Sequence, residues 1–304
     1  MSIQQETAPA GTAALRRHVI ATELGPCVVR VQRGAGGSGP RSDTPVVYFH
    51  GAAGTWTTFG TLLAEAPAQD RVLLDLPGWG ESTEGARLEQ LTIEAMARAV
   101  TGVLDALGYR RWHLVGHSMG GFLALHMAAA WPERTASVAA ISATTFGVSE
   151  AARGPLRGLR RFPAFVGMQL LMRSLAALGP AGHALVRAAG TTSLIGPLVA
   201  PFFADPAVIS GTEIRRLGAD ARPASFTAGA RAAAHYDFDR WRRILCPVLA
   251  TRGDSDVFTP RSDLARLAAI VPQVRLVTIP RCGHFANLEQ PEQVQRLTQG
   301  LWSP

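Results

Sequence analysis

A chain of 304 residues with 47% hydrophobic and 17% charged residues has ample material for a large core, and it lacks the charge-rich composition that keeps a chain disordered. Its formal charge of +7 comes from arginine alone, because the sequence contains no lysine, and the arginines are dispersed apart from "RGPLRGLRR" (153–161) and "RWRR" (240–243). Neither run interleaves aromatics or sits in a nucleic-acid motif, so no nucleic-acid partner is expected and both runs read as solvated faces.

Residues 1–14 read as a flexible tail, with no basic and apolar sequence of a secretory signal. "HVIAT" and "CVVRVQ" then read as two short strands, followed by "GAGGSGPRSDTP", a loop by composition. From Val46 the pattern becomes strand, turn, helix, repeated. "VVYFH", "RVLLDL", "WHLVG", "SVAAIS", "CPVLATRG" and "VRLVTIP" are short apolar runs that end in turn residues, with helical stretches between most of them. Residues 92–107 show the helical period, with Ile93, Met96, Val100, Val103, Leu104 and Leu107 on one stripe. This alternation predicts an α/β fold: a mostly parallel central sheet with helices on both faces.

The rhythm breaks between "SVAAIS" and "CPVLATRG", where about a hundred residues hold helical pieces and no convincing strand. We expect a core of 15–146 and 241–304 interrupted by a helical insertion at 147–240, seated over the sheet. The apolar face of "FPAFVGMQLLMRSLAAL" is expected to cover a pocket or core, not a membrane surface. No apolar run is long enough to span a bilayer, so no stable membrane insertion is expected. Cys27, Cys246 and Cys282 are too few and too scattered for a disulfide framework or a zinc site, which points to a reducing cytoplasm and to no metal.

One motif carries chemistry. "LVGHSMGGFLAL" (114–125) places Ser118 between a predicted strand and a predicted helix, with Gly116 and Gly120 two positions away on either side. Such a turn holds the serine in a strained conformation that exposes its hydroxyl and crowds the flanking positions until only glycine fits. The following helix aims its first amide, that of Met119, at any oxyanion formed there. A serine at its free pKa is a weak nucleophile and needs a base, itself oriented by an acid. Of eight histidines, His284 alone lies on a loop just past a late strand beside a glycine, Gly283. His50 reads as bracing its loop, and His117 should point to the sheet's other face. "GDSDVFTP" (253–260) offers Asp256 as the acid, with Asp254 as understudy. The loop "SATTFG" offers no carboxylate. Cys282, close to His284, reads as a packing residue.

The stretches "HGAAG" (50–54), "DLPGWGES" (75–82), "GHSMGG" (116–121), "GDSDVFTP" and "CGHFANLEQPE" (282–292), in this order, resemble the α/β-hydrolase superfamily over nearly the whole chain apart from the insertion. The resemblance implies that Ala52, or else Ala53, supplies the second oxyanion amide, that Asp75 and Ser82 are structural, and that the insertion is a helical cap over an apolar pocket. Ala53, Trp56, Phe146 and Phe285 are the expected substrate contacts, and Trp79 lies near the same edge. Ser118 stands where haloalkane dehalogenases and epoxide hydrolases carry aspartate. Phe285 stands where carbon–carbon bond hydrolases of the meta-cleavage type usually carry tryptophan. The expectation is therefore a cofactor-free serine hydrolase. It would cleave an ester, thioester or lactone of a small apolar substrate through an acyl-enzyme. The alternatives are carbon–carbon bond hydrolysis or acyl transfer on the same triad, and a ligand-binding protein with slow or no turnover.

Overall fold

The computed structural model describes residues 2–5, 15–34, 44–63, 69–190, 192 and 195–302. Most of the expected tail (1 and 6–14) and of the first long loop (35–43) lies outside them. The strands are β1 (Ser2–Gln5), β2 (Arg16–Thr22), β3 (Gly25–Gln32), β4 (Val46–Phe49), β5 (Arg71–Leu74), β6 (Trp112–His117), β7 (Thr135–Ile141), β8 (Val248–Gly253) and β9 (Val274–Ile279). The α-helices are α1 (Ile93–Ala106), α2 (Met119–Ala130), α3 (Phe146–Arg153), α4 (Pro155–Arg161), α5 (Pro163–Ala177), α6 (Pro180–Gly190), α7 (Ile195–Val199), α8 (Gly211–Asp220), α9 (Pro223–Ala234), α10 (Arg261–Ile270), α11 (Ala286–Glu289) and α12 (Pro291–Gln299).

Among the described residues the strands form one sheet in the order β1-β2-β3-β5-β4-β6-β7-β8-β9. β4 to β9 run parallel to one another, while β1, β2 and β3 add an antiparallel edge. β1 corrects the expectation of a loose tail: Ser2–Gln5 pairs with β2, whose outer edge offers unpaired backbone groups to an added strand. β4, β5 and β8 are buried along their whole length, as parallel strands covered on both faces must be. α2 is apolar all round and buried from Met119 to Ala129, packed on β4, β6 and β7. One face of the sheet packs on α1, α2 and α10. The other packs on α12 and a 3-10 helix, Trp56–Leu63, through Phe59, Leu62 and Val294. α1 spans the stripe read from the sequence, and the Thr92 hydroxyl caps it by accepting the Ala95 N–H at 3.0 Å.

Between β7 and β8 the described residues hold seven α-helices, α3 to α9, and no strand. They form their own apolar cluster, with Phe165, Val166, Ile195, Val199 and Leu217 at its centre, which also takes in Phe258 and Phe285 from the sheet side. Phe146 is buried in the core and does not line the cavity beside Ser118. It opens α3 inside an aromatic nest with Phe238 and Trp241, at ring distances of 4.3 and 5.5 Å, under the Arg266 guanidinium at 4.2 Å. The nest roots the helical segment in the core.

Candidate active site

Ser118 is the single residue between β6 and α2, and its backbone sits at φ 54°, ψ −119°, outside the regions a side chain prefers. A Cβ on Gly116 would lie 2.1 Å from the Gly120 carbonyl oxygen, and one on Gly120 would lie 2.1 Å from the Phe49 carbonyl oxygen of β4. Glycine at both positions lets strand, turn and helix close on one another. Met119 is the first residue of α2, so its N–H is one of those a helix leaves without an internal partner.

His284 and Asp256 reach this serine from loops after β9 and β8. Asp256 Oδ1 lies 3.0 Å from His284 Nδ1, and His284 Nε2 lies 3.0 Å from Ser118 Oγ. A carboxylate only accepts, so Nδ1–H donates to it and the neutral ring leaves Nε2 free to accept the serine hydroxyl. All three side chains are buried. Burial opposes ionisation of Asp256, but the facing His284 and the Phe258 N–H, at 2.8 Å, overcome it and hold the carboxyl below its usual range, while the Thr259 N–H also donates to it at 3.1 Å.

The understudy, Asp254, does not touch His284. It accepts the N–H groups of Arg281 and Cys282 at 2.9 and 3.1 Å, which bends the loop that carries the histidine. Glu289 grips the same loop from α11, a role that sequence reading missed. Its carboxylate accepts the Gly283 N–H on one oxygen and the Ala204 N–H on the other, both at 2.7 Å, while the His284 N–H donates to Phe202 at 2.7 Å. The helical segment and the histidine loop are thereby one bonded unit. The only signal was an acidic residue in the otherwise uncharged turn "ANLE". Cys282 is fully buried, and burial with the nearby Glu289 carboxylate pushes its thiol up, as befits a packing residue.

His117 departs from expectation. It shares the face of Val115, as strand alternation requires, but the loop after β9 folds over that end of the sheet. Its Nε2–H therefore donates to the His284 carbonyl at 2.9 Å, and its ring lies 5.0 Å from that of His284. Burial, aided by the neighbouring His284, lowers its pKa to about 3, so it is a neutral brace. His50 braces as read: the Leu76 N–H donates to its Nε2 at 3.0 Å and its Nδ1–H donates to the Gly51 carbonyl at 2.8 Å. Asp75 organises the neighbouring loop, accepting the N–H groups of Trp56 and Glu81, both at 3.0 Å.

Ser118 and His284 open on a cavity of about 440 Å³ between the sheet edge and the helices. Ala52, Ala53, Met119 and Phe285 line it, as does His117. Trp56 and Trp79 do not. Trp56 stacks under Arg30, 4.5 Å from guanidinium to ring, and the Trp79 indole N–H donates to the Ala52 carbonyl at 2.8 Å, fixing the loop from behind. Most of the remaining wall is apolar and comes from α5 to α9, among them Met168, Met172, Val186, Leu217 and Phe226, with Phe122, Val148 and Phe258 adding to it. Arg222 is the one arginine, aspartate or glutamate among the described residues that line it.

The chain is similar to known proteins over most of its length. The chain is 29% identical over 268 residues to the dihydrolipoyllysine-residue acetyltransferase component of an acetoin-cleaving system of Pseudomonas putida, covering 85% of this chain and 63% of that one, so it spans under two thirds of that relative's length. It is 30% identical over 264 residues to a 2-hydroxy-6-oxononadienedioate/2-hydroxy-6-oxononatrienedioate hydrolase of Burkholderia vietnamiensis, covering 83% of this chain and 84% of the relative. A thermophilic esterase of Thermogutta terrifontis superposes with a TM-score of 0.65 at 24% identity, over 93% of this chain and 97% of the esterase, a likeness of fold. A family model for the alpha/beta hydrolase fold matches residues 44–291, and the chain belongs to that family.

Proposed function

We propose that the protein is a serine hydrolase that cleaves an ester, thioester or lactone bond of a small, largely apolar substrate. The observation that carries this reading is the unbroken chain of 3.0 Å contacts from Asp256 through His284 to Ser118 at the floor of an apolar cavity. Ser118 Oγ attacks the carbonyl carbon while His284 Nε2 takes its proton. Asp256 keeps Nδ1 protonated and stabilises the imidazolium. The tetrahedral oxyanion falls to the N–H groups of Met119 and Ala52. His284 returns the proton to the leaving group, leaving an acyl-serine that water, activated by the same histidine, then hydrolyses. The helices between β7 and β8 act as a cap that excludes water and selects the acyl group.

Stopped-flow release of p-nitrophenol from esters of increasing acyl length tests the proposal. A burst in the wild type, with kcat reduced at least about a thousandfold in Ser118→Ala, is expected. Near-normal turnover by Ser118→Ala would remove Ser118 from its role.

The Burkholderia relative favours a second reading, carbon–carbon bond hydrolysis on the same residues. Phe285 in place of the tryptophan usual after the histidine in that group weighs against it. Product analysis with a 2-hydroxy-6-oxo-dienoate separates the two readings.

A further inference from the structure

Ten large apolar side chains stand exposed among the described residues, and six of them fall on the stretch from α4 to α7: Leu159, Leu170, Leu171, Leu178, Leu185 and Leu198, each between 45% and 57% exposed. Leu171 and Leu178 lie seven residues apart, on one stripe of α5 and its C-cap. Leu171, Leu185 and Leu198 also line the cavity that holds Ser118, so three of the six are shared between the cavity wall and the surface. Large apolar side chains gathered in solvent on one stretch of helices mark a site of contact.

The charge around it is one-sided. From Ala151 to Ala204 the sequence carries six arginines and neither aspartate nor glutamate. Arg160, Arg173 and Arg187 are exposed and make no ion pair among the described residues, and Arg161 reaches only Glu150, at 3.9 Å. A second copy of this chain seated here would set arginine against arginine, with no carboxylate from Ala151 to Ala204 to separate them. A surface that offers both hydrocarbon and anionic oxygens suits this face better, and a bilayer with anionic headgroups offers both. No single helix among the described residues is long and apolar enough to cross a membrane.

We propose that the α4–α7 face docks reversibly on an anionic lipid bilayer and that the cavity takes its apolar substrate directly from that phase. The delivery of substrate rests on the hydrolase reading; the docking does not.

Flotation of the full chain with phosphatidylcholine vesicles, with and without phosphatidylglycerol, tests the docking. We expect at least tenfold more protein on the anionic vesicles, and a fall of similar size in 0.5 M salt. Leu170→Ser with Leu178→Ser, or Arg173→Glu with Arg187→Glu, should each cut binding at least tenfold. None of these four residues lines the cavity, so turnover of a short soluble ester should be unchanged. Absence of flotation, equal flotation on neutral vesicles, or leucine variants that bind like wild type would each overturn the proposal. A dimer in sedimentation velocity that the leucine variants dissolve, without vesicle binding, would overturn it in favour of a second copy. Ser118→Ala should float like wild type. If the wild type floats but cleaves no ester, docking stands and the hydrolase reading falls.

Discussion

The sheet edge and the helices above it solve different problems. At the edge, each candidate catalytic side chain is buried and held by backbone: Asp256 by two N–H groups, the His284 loop by Asp254, Glu289 and His117, and Ser118 by a turn that only glycines allow. Above it, α5 buries only Phe165, Val166, Gln169 and Met172 of its 15 residues and leaves leucines in solvent. α2, beneath, buries eleven of twelve. The difference teaches that the geometry of the candidate triad is fixed by many hydrogen bonds, whereas the outer face of α5 buries few side chains and is left open to a partner.

The largest effect that would break this contrast belongs to Gly120. In Gly120→Ala the new methyl must displace the Phe49 and His50 carbonyls, which lie 2.1 and 2.7 Å from where it would stand. Backbone in the middle of a sheet cannot yield cheaply. We expect a loss of about 4 kcal/mol or more, seen in urea unfolding or as failure to accumulate folded protein. A variant that unfolds like wild type would mean the elbow is loose and the contrast false.

The part of the molecule legible in the sequence is the part whose residue types are forced by chemistry or sterics. A strained nucleophile turn needs its glycines, and a base and an acid must sit past strand ends, so Ser118, His284 and Asp256 could be picked out of one sequence. Aromatic positions were less legible, because a ring's direction is set by partners far along the chain. Trp56 faces Arg30 and Phe146 faces Phe238 and Trp241, and no local pattern announces either pairing. His117 was misjudged for a related reason: alternation tells which face a side chain takes, but not which loop folds back over it. The leucines of α5 to α7 were the least legible, since the same helical period serves core, pocket wall and outer surface.

A middle-sized effect tests the joint between the two regions. His126, on α2, lies 2.7 Å through Nδ1 from the hydroxyl of Tyr236, just past α9. Burial lowers its pKa from 6.5 to about 4. The unfolded chain therefore takes a proton there between those values while the folded chain does not. Stability from this group is complete above about pH 6.5 and is lost as pH falls toward about 4. The size is on the order of 2–3 kcal/mol at the low end. His126→Gln should lower stability at pH 7.5, yet flatten the decline between pH 6.5 and 4. Chemical denaturation across that range measures both, and parallel pH profiles for the two proteins would remove His126 from this role. His117, lowered to about 3, contributes a second decline that the variant leaves in place.

The smallest effect is the sharpest comparison, because it repeats the first substitution in the other region. Gly167 lies in α5, exposed, and a Cβ built there meets nothing within 4 Å. Alanine at such a site costs no contact and restricts the unfolded chain, so Gly167→Ala should stabilise by about 0.5–1 kcal/mol. In calorimetry that is a rise in Tm of roughly 1–2 °C for a chain of this length. The same methyl is thus predicted to be ruinous under Ser118 and mildly helpful above it. A loss of stability at Gly167 would carry its own meaning: the outer face of α5 would then press against something in solution. The helical segment would close further than the open arrangement of its leucines indicates, and the openness of this face would belong to one state of it alone.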